Sequence, residues 1–520
     1  GHENYAWDRF YAYGRKANET FAGHGDMINY TEITSLTGYQ DRLRMESYLT
    51  NAKYNYKDKY YADLSYRRDA SSRFYKENRW GNFYAAGAGW VISEENFMSG
   101  LKDKINFLKL RADYGEVGND RSVGYYASMA LYAMTQNGGQ SALYKSQLDA
   151  TDIKWESAVT SGIGIDARLF NRIEFSAEYF DKRSRDLLFD VNLPLSAGST
   201  TSSAAEATVT MNLGTISNHG VEISVAGDII RSKDFRWNVG VNLTTLKNTI
   251  LSLPEQNREN GIIDGTKKYM EGHDRYAFWT YQFAGVDQMT GRSLYKVDTD
   301  KYTLTEPTEE EKEAGKVILP DAAERVAING ETYVYKTTYA LRDWSGSAIP
   351  DFFGSITTAL SYKDLTLSAI LTYSVGGKIM DYNYQSYMSA TANPSSLHKD
   401  LLKSWNGVPE GITETSANRI DPNGIPELNF SRSADNNTTS TRFLQDASYL
   451  ILKNINLSYT LPSRWVSKLD LSRVRLNLTA ENLFTLSSLQ GMDPQQGWSG
   501  LQYNYLPTAR IISMGINVQF

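Results

Sequence analysis

The chain ends on Ile-Ser-Met-Gly-Ile-Asn-Val-Gln-Phe, residues Ile512 to Phe520. Side chains of an extended strand alternate between faces, so Ile512, Met514, Ile516, Val518 and Phe520 share one face. Ser513, Gly515, Asn517 and Gln519 share the other. Few folds need a fully alternating strand and an aromatic residue as their last element. A β-barrel in a bilayer does, because its final strand closes the sheet and leaves no unpaired edge in hydrocarbon.

The same period of two recurs along the chain. Phe235, Trp237, Val239, Val241 and Leu243 alternate with Arg236, Asn238, Gly240, Asn242 and Thr244. Ile173 to Tyr179, Val474 to Ala480 and Leu108 to Tyr114 behave alike. Further alternating stretches lie near 42–54, 60–68, 82–92, 157–168, 219–229, 276–286, 352–362, 365–375 and 448–461. Each matches the ~9–11 residues of a tilted membrane strand or runs slightly longer. Helical periodicity is nearly absent, and no apolar run approaches the ~20 residues of a membrane helix. The hydrophobic share of 41% looks soluble, but half of every barrel strand faces a polar lumen. The 36 Tyr and 10 Trp suit membrane interfaces and also sugar or peptide grooves.

Connections between these stretches alternate long and short, as expected of outer-membrane barrels, with short periplasmic turns and long outer loops. Counting back from the end, 486–507 is long, 462–472 shorter, 376–447 very long and Lys363-Asp364 tight. Earlier, 248–275, 182–218 and 115–156 are long, while 230–234, Phe170-Asn171 and 55–59 are short. The sequence therefore predicts an all-β fold: a transmembrane antiparallel up-and-down β-barrel with long extracellular loops, short periplasmic turns and a periplasmic C-terminus. Parity asks for one more strand between 287 and 351, with Ser293 to Val297 and Thr332 to Thr338 as candidates. With a weak strand near 5–13 the count is about sixteen.

Chemistry-bearing patterns are few. Net charge is -6 with mixed signs, so no nucleic-acid footprint is expected. There is no cysteine, hence no disulfide and no thiolate metal site. His2, His24, His219, His273 and His398 show no ligand spacing, so no metal and no cofactor is expected. No catalytic constellation is found, and no enzyme is expected. Val297-Asp298-Thr299-Asp300 reads as a turn rather than a calcium loop. Gly87-Ala88-Gly89 and Gly162-Ile163-Gly164 read as close packing within strands, not as dinucleotide loops. Glu306 to Lys316 reads as a solvated charge run, and Ser199 to Ala207 as a polar loop tip. Polar-face residues such as Glu174, Arg236, Asn238, Arg475 and Asn477 are expected to line lumen or anchor a plug. The loop aromatics Tyr382, Tyr384, Tyr387 and Trp405, then Trp498, Tyr503 and Tyr505, are the candidates for contact with a substrate or a partner protein.

Several stretches occur in the order of one family. Arg67-Arg68-Asp69-Ala70-Ser71-Ser72-Arg73-Phe74 resembles its "R-x-D-x-S-S-R-F" loop. Asp113-Tyr114-Gly115-Glu116-Val117-Gly118-Asn119 resembles "YGxxGN". Asn212 to Glu222 resembles "NxGxIxNxGxE", with His219 where Lys is common. Tyr449 to Asn454, Leu457 to Pro462, Glu481-Asn482-Leu483-Phe484 and Gly491-Met492-Asp493-Pro494 resemble its late motifs. The family is that of the SusC/RagA-like TonB-dependent transporters of Bacteroidetes outer membranes. Such plugged transporters have about 22 strands. The resemblance thus implies that residues 1–520 are the C-terminal barrel portion, with the plug domain and first strands outside this sequence. The chain opens Gly-His-Glu-Asn with no Met or signal segment, which reads as a processed or partial chain.

The resemblance also implies import. The expected partners are a SusD-like surface lipoprotein acting as a lid, the TonB–ExbB–ExbD complex pulling on the plug, outer-membrane lipid, and an oligosaccharide or oligopeptide cargo. A dimer of SusC–SusD pairs is the higher assembly it suggests. Phe520 is the expected assembly signal. The terminal strand is expected to pair with Val474 to Glu481 on one side and with a strand outside this sequence on the other. Two alternatives stand beside this reading: a passive porin or scaffold barrel, since porins have about 16–18 strands, and a secreted soluble glycan-binding β-protein.

Overall fold

The structure is a computed structural model and describes residues 1–16, 33–193, 207–390, 396–489, 491–502 and 506–520. Two compact units are distinguished. One comprises Gly1–Ala167, Glu178–Asn218 and Leu251–Pro254; the other comprises Arg168–Ala177, His219–Ile250 and Glu255–Phe520.

Fourteen long strands carry the fold among the described residues. They are β1 (His2–Lys16), β2 (Ile33–Tyr56), β3 (Tyr60–Ser71), β4 (Trp80–Val91), β5 (Ile105–Asn119), β6 (Glu156–Leu169), β7 (Ile173–Arg185), β8 (Thr215–Arg231), β9 (Phe235–Thr244), β10 (Phe352–Tyr362), β11 (Leu365–Val375), β12 (Tyr449–Thr460), β13 (Arg473–Ser487) and β14 (Ile511–Gln519). In the first unit β1 to β5 pair antiparallel, each with the next. In the second, β8 to β14 do the same. Tight turns with left-handed residues, Lys57-Asp58, Phe170-Asn171 and Lys363, alternate with long excursions. β14 pairs with β13, from Arg473↔Gln519 to Glu481↔Ile511, which is the inner partner expected of the terminal strand.

Register explains which face of the sheet meets which solvent. On one face of β2 to β5, Tyr56, Tyr60 and Trp90 lie at one level and Tyr66, Tyr84 and Tyr114 at another. Between them sit Ala52, Ala62, Leu64, Ala86, Ala88, Leu110 and Ala112. Tyr60 and Tyr66 are about 20 Å apart along β3 at ~3.3 Å per residue. An exposed apolar band between two aromatic rows is the pattern of a lipid-facing wall. The opposite face is polar. Arg67 there pairs with Asp69 at 2.8 Å and Glu3 at 3.6 Å, and donates to Ser47. On the same face Arg111 bridges Asp166 at 3.1 Å and Glu178 at 2.5 Å. A Cβ on Gly164 would lie 2.8 Å from the Arg111 guanidinium, and one on Gly162 2.9 Å from Asp113. These glycines clear room for the charged cluster.

Two stretches are corrected by the pairing. The alternation near 276–286 is not a wall strand, and no wall strand lies in 287–351. β9 pairs directly with β10, so residues 245–351 form one insertion between them. Lys247–Ser252 at its start pairs with β8, and the remaining pieces make smaller sheets, one of which also takes in Ile420–Asp421. Ala277–Tyr281 pairs with Arg342–Ser347, and Phe283–Asp287 pairs with Ser293–Lys296. Val286, Leu294, Tyr295 and Val334 are almost fully buried there. The alternation was that of short core strands, which share the period of membrane strands. Of the candidates, Ser293–Lys296 and Glu331–Val334 are strands, but of this inserted sheet. Asp298 closes a turn, accepting from Lys301 at 2.7 Å and from the Asp300 amide.

The loop motifs meet in the first unit. Ser71 donates to Asp120 at 2.7 Å, Arg73 pairs with Asp120 at 3.4 Å and also donates to the Val123 carbonyl, and Asn119 donates to Glu156 at 2.7 Å. Phe74 and Phe83 pack on Trp155 in one buried cluster. A Cβ on Gly118 would stand 2.0 Å from the Phe83 ring. Gly118→Val is therefore expected to cost at least the ~1–3 kcal/mol of an overpacked core, read as a lower unfolding temperature in detergent. An unchanged temperature would show that Phe83 can give way.

Candidate functional site

The loops of the second unit build a cavity of about 600 Å³. Its floor is Lys378–Asp381, a strand that pairs antiparallel with Leu444–Asp446 and parallel with Leu501–Gln502. Asp381 then caps the helix Tyr382–Met388, accepting from the Tyr384 amide at 2.8 Å. That capped turn aims Tyr384 and Tyr387 at the cavity. Behind it lies an apolar cluster of Phe278, Met380, Met388 and Phe443, all at most 1% exposed. The wall is therefore rigid where the aromatic residues are rooted.

A second short turn, Lys399–Lys403, brings His398 and Asp400 to the same cavity. The His398 Nδ1 lies 3.2 Å from the Asp400 amide and 3.4 Å from the Asp400 carboxylate. Tyr384 donates to Asp400 at 3.2 Å and meets the His398 ring edge to face at 4.9 Å. Burial works to raise the Asp400 carboxyl, but the Tyr384 hydroxyl and the Lys403 ammonium outweigh it and hold Asp400 low. Burial pushes Asp381 and Tyr384 upward. The opposite wall is the loop after β13, with Ser488, Leu489 and Met492. Asp493 accepts from Thr508 and from the Gln495 amide, tying that loop into a closed turn. The Gly-Met-Asp-Pro stretch thereby acquires a structural role.

The other candidate aromatics are placed differently. Tyr382 packs on the apolar cluster, its hydroxyl 3.5 Å from Thr266. Trp405 donates its indole N–H to the Gln288 carbonyl at 2.8 Å, and its ring lies where a Cβ on Gly291 would be. It pins one loop to another. Trp498 is 75% exposed, with Tyr276 at its edge. Tyr503 and Tyr505 lie outside the described residues. Asp381 and Asp400 were not singled out by sequence; His398 was named only as a histidine without ligand spacing, and Met492 only within the Gly-Met-Asp-Pro motif. The one available signal was His398-x-Asp400 ahead of a short helical run, an N-cap pattern.

Comparison with known proteins fixes the setting. The family described as "TonB dependent receptor-like, beta-barrel" matches residues 2–483. The chain belongs to the TonB-dependent receptor β-barrel family. It is 30% identical to TonB-dependent receptor P39 of Formosa agariphila over 506 residues, covering 90% of this chain and 45% of that one. It is 25% identical to TonB-dependent receptor SusC of Bacteroides thetaiotaomicron, covering 94% of this chain and 45% of that one. The solved structure of the RagAB peptide transporter superposes with a TM-score of 0.75 at 22% identity, covering 100% of this chain and 56% of that chain. The chain thus spans about half the length of the curated relatives it matches.

Receptors of this family are multi-pass β-barrels of the outer membrane, and the SusC/RagA-like branch is the one this chain resembles. Long connections of such barrels face outward. The cavity is formed entirely by long connections, those between β11 and β12 and between β13 and β14, and so belongs to the extracellular side.

Proposed function

We propose that this chain is the C-terminal barrel portion of an active importer and that its loop cavity is part of the cargo site. The plug and the first strands would precede these residues in the complete protein. A SusD-like lipoprotein would cover the loops, and the TonB–ExbB–ExbD complex would pull on the plug. The cargo is an oligosaccharide or an oligopeptide too large for porins; RagAB, similar in fold, is a peptide transporter. The observation that carries the reading is Tyr384 and Tyr387 projected into an outward cavity from a buttressed turn.

Aromatic faces take up sugar C–H surfaces and peptide side chains alike, while a hydroxyl edge supplies a hydrogen bond. Replacing both with Ala in the full-length transporter is expected to reduce uptake about tenfold or more. The estimate takes ~1 kcal/mol for each lost aromatic contact. Growth on the cognate polymer and binding of labelled cargo to purified protein would measure it. Wild-type uptake by a correctly inserted double variant would remove the cavity from the transport path. Uptake persisting without TonB would favour a passive porin.

A further inference from the structure

The cavity is lined by two carboxylates, Asp381 and Asp400, and by no lysine or arginine among the described residues. Asp381 has one oxygen committed to its helix cap. Asp400 accepts from the Tyr384 hydroxyl at 3.2 Å and keeps its other edge toward the cavity and Lys403. Lys403 approaches it at 3.5 Å, but that ammonium is 77% exposed, and a solvated pair of this kind screens little. Arg442 stands behind Tyr384 and donates to the Asn436 carbonyl and the Asn437 side chain, with its guanidinium over the Phe443 ring. Its charge is thus held on the far side of the aromatic wall. His398 sits beside Asp400, with Nδ1 3.4 Å from the carboxylate. The groups lining the cavity are therefore two carboxylates, Asp381 with one oxygen in its helix cap, the aromatic side chains of Tyr384 and Tyr387, His398, and uncharged side chains.

An aromatic face beside a carboxylate is an electrostatic trap for a cation. The ring quadrupole and the ionised oxygen both attract positive charge, and both repel an anion. Resting on the cargo-site reading above, we infer that this cavity selects cargo bearing an ammonium group and rejects carboxylate-rich cargo. The ammonium could come from an unacetylated amino sugar or from a peptide terminus or lysine side chain. Asp400 is the specificity-determining residue, and Tyr384, which donates to it, is its positioning residue.

The test uses the full-length transporter in detergent carrying Ser488→Cys. Ser488 lines the cavity, and this chain has no cysteine of its own. The readout is the rate of maleimide labelling at that site. Probes are glucosamine trimer, trilysine, their fully N-acetylated forms, and triglutamate. An amine probe is expected to protect the site with an affinity about tenfold above its acetylated form, and triglutamate not at all. Which of the two amine probes protects identifies the source of the ammonium. Asp400→Asn keeps the acceptor for Tyr384 but loses the charge, and is expected to abolish the preference. Equal protection by amine and acetylated probes would leave the cargo site standing and overturn the ammonium selection. Protection by none of the probes, with uptake intact, would overturn both.

Discussion

Deletion of Ile511–Phe520 is expected to abolish insertion of the barrel into the outer membrane. β14 supplies nine residues of antiparallel ladder to β13. Without it the backbone groups of β13 on that side would face hydrocarbon, and each unpaired group there costs several kcal/mol. No other described strand is placed to take over. Heat-modifiable mobility of the membrane fraction measures the folded barrel, and the truncated chain is expected to show none. Phe520 is 91% exposed, and its carbonyl accepts from Ser472. Its ring contributes little to packing in this chain. Phe520→Ala should therefore lower the amount assembled while leaving the melting temperature of the assembled fraction unchanged. A drop in both would make Phe520 a structural residue rather than an assembly signal.

The second large effect lies in the insertion. The Asp287 side chain is fully buried and takes two bonds of 2.8 Å from Arg419, one of 2.6 Å from Tyr335 and one of 3.0 Å from the Met289 amide. Burial alone would raise this carboxyl, but the Arg419 and Tyr335 hydrogen bonds outweigh it and hold Asp287 below the ordinary range. Tyr335, pushed up to about 12 by burial and by Asp287, remains a donor. Arg419→Ala would leave a buried charge without its partner, at a cost of about 3–5 kcal/mol. Limited proteolysis of the loops should show it as rapid cleavage within 287–351 and 396–443 while the wall strands stay protected. Asp287→Leu with Arg419→Met should recover much of the loss, because replacing both charges removes the desolvation cost. The Asp287 contribution is complete above the unfolded carboxylate range near ~3.9 and is lost as pH falls through the lower folded value. Loop order should therefore hold at neutrality and fail only in strong acid.

The wall was legible in the sequence because lipid on one side and a polar lumen on the other impose a strict alternation. Ile512 to Val518 and Phe235 to Leu243 were read correctly for that reason. The insertion was not legible. Phe278 and Val286 fall in a stretch that mimics the alternation of a wall strand, but they are buried in small folded cores, as are the adjacent Leu294 and Tyr295. Pairing partners, not periodicity, separate the two cases. The cavity was half legible. Tyr384 and Tyr387 stood out as loop aromatics, yet Trp405 in the same loop is a packing pin over Gly291. Asp400 and His398 reach the cavity through a turn whose N-cap pattern marks a helix start but not the cavity it faces.

The direct pairing of β9 with β10 has a consequence for how the protein folds. Joining two strands across about a hundred intervening residues costs ~2 kcal/mol more in chain entropy than joining them across ten. The neck of the insertion offsets this. Ala277–Tyr281 zips to Arg342–Ser347, and Tyr276 accepts from the Ala348 amide. Once that neck has formed, only 245–276 and 348–351 remain to be closed, and β9 finds β10 across a short effective tether. The expected order of events is an inserted loop that folds first and a wall that zips afterwards, which pulsed hydrogen exchange would show as earlier protection of Ala277–Tyr281 than of β9. The length and content of everything above the neck can then change without altering the register of the wall beneath it.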